Sequence, residues 1–402
     1  MTKITDIPAI RFKGFSDTWE QRKVSELFKV TRGYVLAATL TEPAKTDEMP
    51  YPVYSSQTKD NGLMGYYKDY LYEDAITWTT DGANAGTVNY RAGKFYCTNV
   101  CGVLLSNEVT ANQMIAEALN NVAKGYVSYV GNPKLMNNVM ADIEIMIPTH
   151  AEEREKLSVF FRNLDTLITL HQRKYDKLTN VKKSMLEKMF PQNGSNVPEI
   201  RFKGFTEAWE QRKLSEIATM HARIGWQNLR TSEFLDSGDY MLITGTDFID
   251  GAVNFDTCHY VERERYEQDK HIQIRNGSIL ITKDGTLGKV AYIQGLTMPA
   301  TLNAGVFNVE IKDENEVDNR YLFQYLKAPF LMDYVDKKAT GGTIKHLNQN
   351  ILVDFPVVLP HKAEQEKIGE YFLAIDHLIT LHQRELEKLK KLKKACLEKM
   401  FV

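Results

Sequence analysis

Two polar loops carry the side chains that could recognise a nucleic acid. Their polar residues are Lys134, Asn137 and Asn138 in GNPKLMNNV at 131–139, and Lys345, His346, Asn348 and Gln349 in GGTIKHLNQN at 341–350. Amide and basic side chains read base edges and phosphates in a DNA groove. The same residue types also fill ordinary surface turns. The residues alone leave both interpretations open.

Each half of the chain also contains an Asp-Gly segment after an apolar run. It is Thr80-Asp81-Gly82 with Gly86 in the first half, and Lys283-Asp284-Gly285 with Gly288 in the second. An Asp-Gly pair between apolar runs is typical of a hairpin turn. Neither segment matches G-x-x-x-x-G-K-[ST], and no G-x-G-x-x-G follows a strand. We therefore predict turns at these positions and not nucleotide-binding loops.

Motifs for catalysis or metal binding are missing from the sequence. It has no H-E-x-x-H, no G-x-S-x-G and no Asn-Pro-Pro-aromatic tetrapeptide, which a base-methylating enzyme would be expected to carry. Cys97 and Cys101 lie four residues apart, but no second Cys or His pair follows at zinc-ligand spacing. We predict neither a catalytic residue nor a metal site.

Composition indicates a globular cytoplasmic protein. The 402 residues are 43% apolar and 25% charged, with a net charge of −2 and only four cysteines. The N-terminus has no apolar signal core, and no apolar run reaches the ~18 residues of a membrane span. The near-neutral charge argues against a surface coated in positive charge, so any nucleic-acid binding must come from local patches.

The chain contains an internal duplication. IPAIRFKGFSDTWEQRKVSEL at 7–27 returns as VPEIRFKGFTEAWEQRKLSEI at 197–217 with 14 of 21 residues identical, and DTLITLHQR at 165–173 returns as DHLITLHQR at 376–384. The segments between these repeats differ strongly in sequence. Each half therefore has a constant head, a variable body and a constant tail.

Both tails have the heptad spacing of a coiled coil, with apolar residues at alternating steps of four and three. The predicted seam is Leu157, Phe161, Leu164, Ile168, His171, Tyr175 and Leu178 in the first helix, and Ile368, Phe372, Ile375, Ile379, His382, Leu386 and Leu389 in the second. Polar interruptions recur as His171 with His382, and as Lys182 with Lys393. Because such residues fix register and partner choice, we predict that the helices pack on each other. The alternative is that each lies on its own domain.

The tails are also basic, with a net charge of +4 over 171–190 and again over 382–401. That pattern is typical of a solvated helix face. The variable bodies mix β-rich runs, such as DAITWTT at 74–80, with helical ones, such as RYLFQYLKAPFLMDYV at 320–335. We predict two α/β (α+β) globular domains in a pseudo-two-fold repeat, joined by two long antiparallel coiled-coil helices. The predicted boundaries are a first domain at 1–146, a helix at 147–190, a linker at 191–198, a second domain at 199–358 and a helix at 359–402.

The repeated RFKGF and WEQRK head, the DG…G loop, the GGTIKHLNQNILVDFPVVLPHKAEQEKI passage and the LITLHQR…LEKMF tail resemble the specificity subunit of type I restriction-modification systems. The resemblance spans essentially the whole chain. It implies a non-catalytic subunit with two target recognition domains, each of which reads one half of a split, asymmetric duplex DNA target. Half-sites on one DNA face lie about 34–36 Å apart, which helices of up to about 60 Å could set.

The resemblance also implies the partners. Two methyltransferase subunits would carry S-adenosylmethionine and methylate adenine, and motor-nuclease subunits would use ATP and Mg²⁺, so that no cofactor is expected on this chain. The residues that we expect to contact DNA are Thr79, Thr80, Asn84, Lys134 and Asn138 in the first domain, and Lys283, Thr286, Lys289, Lys345, His346 and Asn348 in the second.

Two other functions remain open at this stage. The chain could be a coiled-coil adaptor whose bodies bind proteins, which would lack the steep salt dependence of a DNA reader. It could also be a self-sufficient restriction or methylating enzyme, which would transfer methyl groups without partners.

Overall fold

The computed structural model describes residues 7–56, 59–192, 194–225, 228–338 and 347–401. The chain forms two compact units: unit 1 contains residues 1–173 and 382–402, and unit 2 contains residues 174–381. Both divisions fall inside the long helices. Each unit therefore combines one globular domain with a segment of each helix. Lys345 and His346 lie outside the described residues.

The α-helices alternate with the strands along the chain. They are α1 (Val24–Leu27), α2 (Gln113–Val122), α3 (Asn137–Asp142), α4 (Ala151–Lys188), α5 (Leu214–Ile217), α6 (Arg263–Glu267), α7 (Asn319–Lys327), α8 (Phe330–Lys338), α9 (Gln349–Leu352) and α10 (Lys362–Met400). The two long helices, α4 and α10, have 38 and 39 residues.

The strands are short, as expected for small mixed domains. They are β1 (Glu20–Lys23), β2 (Phe28–Arg32), β3 (Tyr51–Tyr54), β4 (Leu63–Tyr67), β5 (Tyr72–Thr79), β6 (Val88–Cys97), β7 (Cys101–Ser106), β8 (Glu144–Ile147), β9 (Glu210–Lys213), β10 (Ala218–His221), β11 (Tyr240–Ile243), β12 (Phe248–Ile249), β13 (Ala252–Val253), β14 (His259–Val261), β15 (Gln273–Ile274), β16 (Ile279–Thr282), β17 (Val290–Tyr292), β18 (Ala300–Leu302), β19 (Val306–Ile311) and β20 (Pro356–Leu359).

Unit 1 is built on a six-stranded sheet of order β2-β7-β5-β6-β3-β4, in which only the β3 and β6 pair is parallel. Strand β5 lies inside the sheet, and its residues 75–79 are all buried. Helix α2 packs against the sheet because its apolar face, which includes Ile115 and Leu119, joins Ile76 and Leu104 in one core. Phe161 of α4 completes that core.

Unit 2 contains two four-stranded sheets of order β10-β19-β16-β17 and β14-β11-β18-β15. Helix α7 packs against the first sheet through Tyr321, Leu322 and Tyr325. These residues share a core with Phe372 of α10 and with Phe190, which lies just past the end of α4. Sheets and helices thus alternate within both units. The predicted α/β (α+β) class, present in two copies, is confirmed.

The constant heads fix the start of each long helix. Strand β1 pairs with β8, with Glu20 opposite Ile147, and β9 pairs with β20, with Glu210 opposite Leu359. In unit 1, Arg11 also donates to the buried carboxylate of Glu153 at 2.6 and 2.8 Å. In unit 2, the repeat counterparts Arg201 and Glu364 make the same bidentate pair at 2.7 Å for both bonds. The constant heads therefore orient the first turns of α4 and α10.

The two long helices run antiparallel within each unit. In unit 1, Phe161 contacts Phe401 with ring centroids 5.5 Å apart, while Asp165 pairs with Lys393 further along α4. In unit 2, Lys182 bonds to Asp376 at 2.6 Å, and Phe190, just past the end of α4, stacks on the earlier residue Phe372 with centroids 5.9 Å apart. The predicted pair of long antiparallel helices is confirmed.

Candidate nucleic-acid interface

In unit 1, the Asp-Gly segment at Thr80-Asp81-Gly82 lies against the polar loop at 131–139. The Leu135 amide donates to the Thr80 carbonyl at 2.8 Å, and the Gly82 amide donates to the Pro133 carbonyl at 2.9 Å. The Nζ atom of Lys134 lies 3.7 Å from the Asp81 carboxylate. Segments that are fifty residues apart in the sequence therefore form one continuous polar surface.

Buried packing beneath these loops holds them together. The Trp78 indole N–H donates to the Leu135 carbonyl at 3.1 Å, and its side chain is only 1% exposed. Gly102 lies against the indole, and a Cβ atom there would be 2.1 Å from the ring. Because any larger residue at 102 would displace Trp78, this glycine is required for the position of the 128–135 loop.

Unit 2 has the same arrangement with different side chains. The Leu347 amide donates to the Lys283 carbonyl at 2.8 Å, and the Lys283 amide donates to the Gly305 carbonyl at 2.9 Å. In unit 1, the corresponding amide of Thr80 donates to the Val100 carbonyl at 3.0 Å. The structural repeat therefore extends into the bodies, where little sequence identity remains.

Side-chain bonds shape the Asp-Gly loop of unit 2. The Thr282 hydroxyl donates to the Thr286 carbonyl at 2.5 Å and accepts from the Lys289 amide at 2.9 Å. These bonds close the turn and leave the side chains of Thr286 and Lys289 exposed. Lys283 and Asn348 line a cleft of about 470 Å³ beside this turn.

The predicted DNA-contacting residues differ in their accessibility. Five of them are exposed, namely Lys134, Asn138, Thr286, Lys289 and Asn348. Two others, Asn84 and Lys283, are half-buried. Thr79 and Thr80 are buried, at 8% and 7% exposure, and the Thr80 hydroxyl donates to Asp81. Since buried hydroxyls cannot reach a duplex, these two threonines support the loop in this structure.

Apolar residues at the tip of the 128–134 loop did not stand out in the sequence. Ser128 and Lys134 bond to each other through both backbone amides, at 2.8 and 2.9 Å, and close the loop. Tyr129 and Val130 lie at its tip and are 69% and 94% exposed. The Gly-Asn-Pro turn that follows them was the only sequence signal of an exposed tip.

The predicted seam residues lie on the inward side of the helices in both units. Half of them are buried, namely Leu157, Phe161, Leu164, Ile368, Phe372, Ile375 and Leu386. The other half are half-buried, namely Ile168, His171, Tyr175, Leu178, Ile379, His382 and Leu389. The Nδ1 atoms of His171 and His382 lie 3.1 Å apart, and both residues belong to unit 1. The repeated polar interruption is therefore a direct contact between α4 and α10.

The repeated lysines of the seam form ion pairs in both units. In unit 1, Lys393 donates to Glu117 at 2.6 Å and to Asp165 at 2.7 Å. Burial acts to lower the pKa of Lys393, but the two carboxylates outweigh it and raise that pKa. In unit 2, Lys182 bonds to Asp376, with Lys327 3.6 Å from the same carboxylate. There, burial and the positive charge of Lys327 lower the pKa of Lys182 to about 8.

Leucines of the repeated LITL segment are exposed in both copies. Leu167 and Leu170 are 43% and 44% exposed, and their counterparts Leu378 and Leu381 are 41% and 45% exposed. Exposed apolar residues that lie together mark protein contact surfaces, whereas scattered single ones do not. We call the two pairs the LITL surfaces.

Among the described residues, no helix is long and apolar enough to span a membrane.

Comparisons with known proteins agree with this geometry. The chain matches the family "Type I restriction modification DNA specificity domain" over residues 16–180 and 206–391. It is 22% identical to the specificity subunit of the type I restriction enzyme MjaVIII of Methanocaldococcus jannaschii over 400 residues, which is 94% of this chain and 91% of that one. It is also 26% identical over 354 residues, 86% of both chains, to the Mycoplasma pneumoniae type I specificity subunit candidate S.MpnORF507P.

A solved structure shares the fold. The type I restriction-modification S subunit from M. genitalium aligns with a TM-score of 0.68 and 18% sequence identity, over 98% of this chain and 99% of that one.

Proposed function

The chain belongs to the type I restriction-modification DNA specificity family, and from that membership and the paired loops we propose how it recognises DNA. It is a non-catalytic specificity subunit, which excludes the protein-binding adaptor and the self-sufficient enzyme. Each recognition domain reads one half of a split duplex target through its Asp-Gly loop and the polar loop bonded to it. The half-sites differ in sequence because the two bodies differ.

One observation carries this proposal. The bond from Leu135 to the Thr80 carbonyl and the bond from Leu347 to the Lys283 carbonyl occupy matching places in the two units. The backbone bonds between the loops are thus the same in both units, while the side chains that the loops carry differ. That is the pattern expected of two readers with different targets, because base readout depends on the side chains that reach the groove.

Salt dependence and specificity test DNA reading. The subunit is assembled with its partners. The affinity of the complex for unmodified duplexes that contain the sequence it methylates is then measured between about 50 and 200 mM salt. We expect a linear fall of log affinity with log salt, with a slope that follows the number of phosphate contacts. An affinity that is insensitive to salt and to sequence would contradict the proposal.

We infer that the LITL surfaces dock two identical methyltransferase subunits. The same pair of exposed leucines occurs once in each repeat. Each of two identical partner subunits can therefore contact one pair through the same surface of its own. The methyltransferases would hold S-adenosylmethionine. Motor-nuclease subunits that use ATP and Mg²⁺ would join the same complex, and the present chain would need no cofactor.

Paired charge substitutions test this docking. Leu167→Glu with Leu170→Glu alters one surface, and Leu378→Glu with Leu381→Glu alters the other. Each double variant should bind one methyltransferase where the parent binds two, as measured by light scattering on the purified complex. Leu392→Glu is the matched control, since Leu392 is 46% exposed but lies outside the repeated segment. Two bound methyltransferases in both double variants would refute the assignment.

A further inference from the structure

An unassigned cluster of metal-ligating side chains lies in unit 2. His221 is the last residue of β10, Glu310 lies on β19, and His271 lies in the single 3₁₀ turn Lys270–Ile272. Each offers one ligand atom, and these atoms all lie within 4.8 Å of one another. None of the three residues belongs to the predicted DNA-contacting set or to the helix pair.

The sheet places two of the three ligands on one face. In the antiparallel pairing of β10 with β19, His221 is opposite Asn308 and Glu310 is opposite Thr219. Directly opposite residues, and residues two apart on one strand, project from the same face of a sheet. The imidazole and the carboxylate are therefore neighbours because of the strand register.

Two hydrogen bonds bring the third ligand to this face. The Asn308 side-chain amide donates to the His271 carbonyl at 3.0 Å. The Asp269 carboxylate accepts from the His271 amide at 2.9 Å and caps the turn. The resulting stack of His271 on His221 has ring centroids 4.5 Å apart and an interplanar angle of 19°.

The ligand atoms face water, so an ion could enter. His221 Nε2 lies 3.7 Å from Glu310 Oε2, with side-chain exposures of 29% and 49%, and 3.1 Å from the Thr219 hydroxyl. His271 is exposed. Since imidazole lone pairs lie in the ring plane, the His271 ring must turn about its Cβ–Cγ bond to share an ion with His221. Its exposure leaves it free to turn.

We propose that His221, His271 and Glu310 bind a divalent transition-metal ion, with Zn²⁺ as the best fit. Two neutral imidazoles and one carboxylate suit Zn²⁺, whereas Ca²⁺ and Mg²⁺ prefer sites made of oxygen ligands. Three protein ligands leave further positions to water. The ligands come from three separate segments, which explains why no spacing motif in the sequence revealed them.

The ion would hold together segments that border the DNA-reading cleft. Strand β10 leads directly into residues 222–225, which line the 470 Å³ cleft together with Lys283 and Asn348. An ion that binds only the folded state adds its binding free energy to stability. Zn²⁺ should therefore stabilise unit 2 in the absence of DNA and of partner subunits.

Cobalt spectroscopy and thermal unfolding of the full chain test the site without DNA. After treatment with a chelator, the parent should develop visible d–d absorption with Co²⁺ and a higher melting temperature with Zn²⁺. His271→Gln and Glu310→Gln should each weaken Zn²⁺ binding by more than about 100-fold, the upper end of the loss caused by removing an outer-shell partner. Both residues are exposed, so neither change removes core packing.

The matched control is His377→Ala, which removes an exposed histidine of α10. It should retain the Co²⁺ spectrum and the Zn²⁺-induced shift of the parent. The proposal is overturned if the parent shows no metal-dependent change, or if His271→Gln and Glu310→Gln respond as the parent does. Intense near-ultraviolet cobalt–thiolate absorption would place the ion at a cysteine and would also overturn it.

Discussion

Lys182 donates two hydrogen bonds to the carboxylate of Asp376, at 2.6 and 2.8 Å, and so joins α4 to α10 inside unit 2. The same two repeat positions meet again in unit 1 as Lys393 and Asp165. The charge next to the two pairs has opposite sign. In unit 2, the amine of Lys327 also lies beside Asp376, whereas in unit 1 the carboxylate of Glu117 also lies beside Lys393. The duplication kept the contact while the surrounding charges diverged.

This difference predicts that two lysine substitutions will change the pH dependence of stability differently. The folded-state pKa of Lys182 is about 8, below its ordinary value of 10.5. Between these pH values unfolding takes up a proton, so stability should rise with pH, by at most about 3 kcal/mol. Lys182→Met should remove that rise, as measured by urea unfolding at pH 8 to 10.

Lys393→Met is the matched comparison. The raised pKa of Lys393 means that its contribution to stability is present below the unfolded value of 10.5 and is lost as the pH rises through the folded value. This variant should therefore be less stable than the parent but keep the parent's pH slope from 8 to 10. Equal slopes in the parent and in Lys182→Met would contradict the assignment.

Lys134 should contribute a phosphate contact in the first half-site. Its side chain is 51% exposed, and its Nζ atom lies 3.7 Å from Oδ1 of Asp81. Lys134→Ala should weaken binding to all sequences alike and reduce the log–log salt slope by about 1. Lys68→Ala is the control, because Lys68 is exposed but belongs to neither loop. A sequence-specific loss would show that Lys134 reads a base instead.

Tyr129 should contact the DNA as an aromatic ring. At 69% exposure on a closed loop, it presents apolar area beside the polar surface. Tyr129→Ala should cost more than about 1 kcal/mol of binding to the cognate first half-site, because it removes the apolar area of the ring from the contact. Tyr129→Phe should retain most of the affinity. Tyr70→Ala, which also truncates an exposed tyrosine of unit 1, should leave it unchanged.

The helices should set the gap between the half-sites. One heptad is inserted into each helix where the units divide, between Arg173 and Lys174 and between Leu381 and His382, so that contacts within each unit are kept. Seven helical residues add about 10 Å. Methylation sequencing should show a longer gap and unchanged bases. If the gap stays constant, the helices do not determine it.

The constant heads and the long helices could be predicted from the sequence because their residues occur in two copies. Heptad spacing identified the seam, and the repeated His171 and His382 indicated contact between the helices. The division of each helix between two compact units was not predicted. It depends on long-range packing, such as Trp19 on Phe401 and Trp209 on Phe190, which no local periodicity encodes.

The candidate interface was predictable only in outline. Residue type identified Lys134, Asn138 and Asn348 as polar loop residues, and all three are exposed. Residue type could not show that Thr79 and Thr80 are buried, because their burial depends on how β5 packs between its neighbouring strands β7 and β6. The histidines of the metal-ligating cluster lie fifty residues apart. Strand register, together with the hydrogen bonds of the Asn308 and Asp269 side chains to the His271 backbone, brings them together.

The central claim is that each unit reads its own half of the target. It is tested most directly by replacing residues 218–358 with the corresponding body of another specificity subunit, followed by methylome sequencing of cells that also carry the partner subunits. We predict that one half-site changes while the other half-site and the gap stay the same. A change in both half-sites would contradict independent reading by two domains.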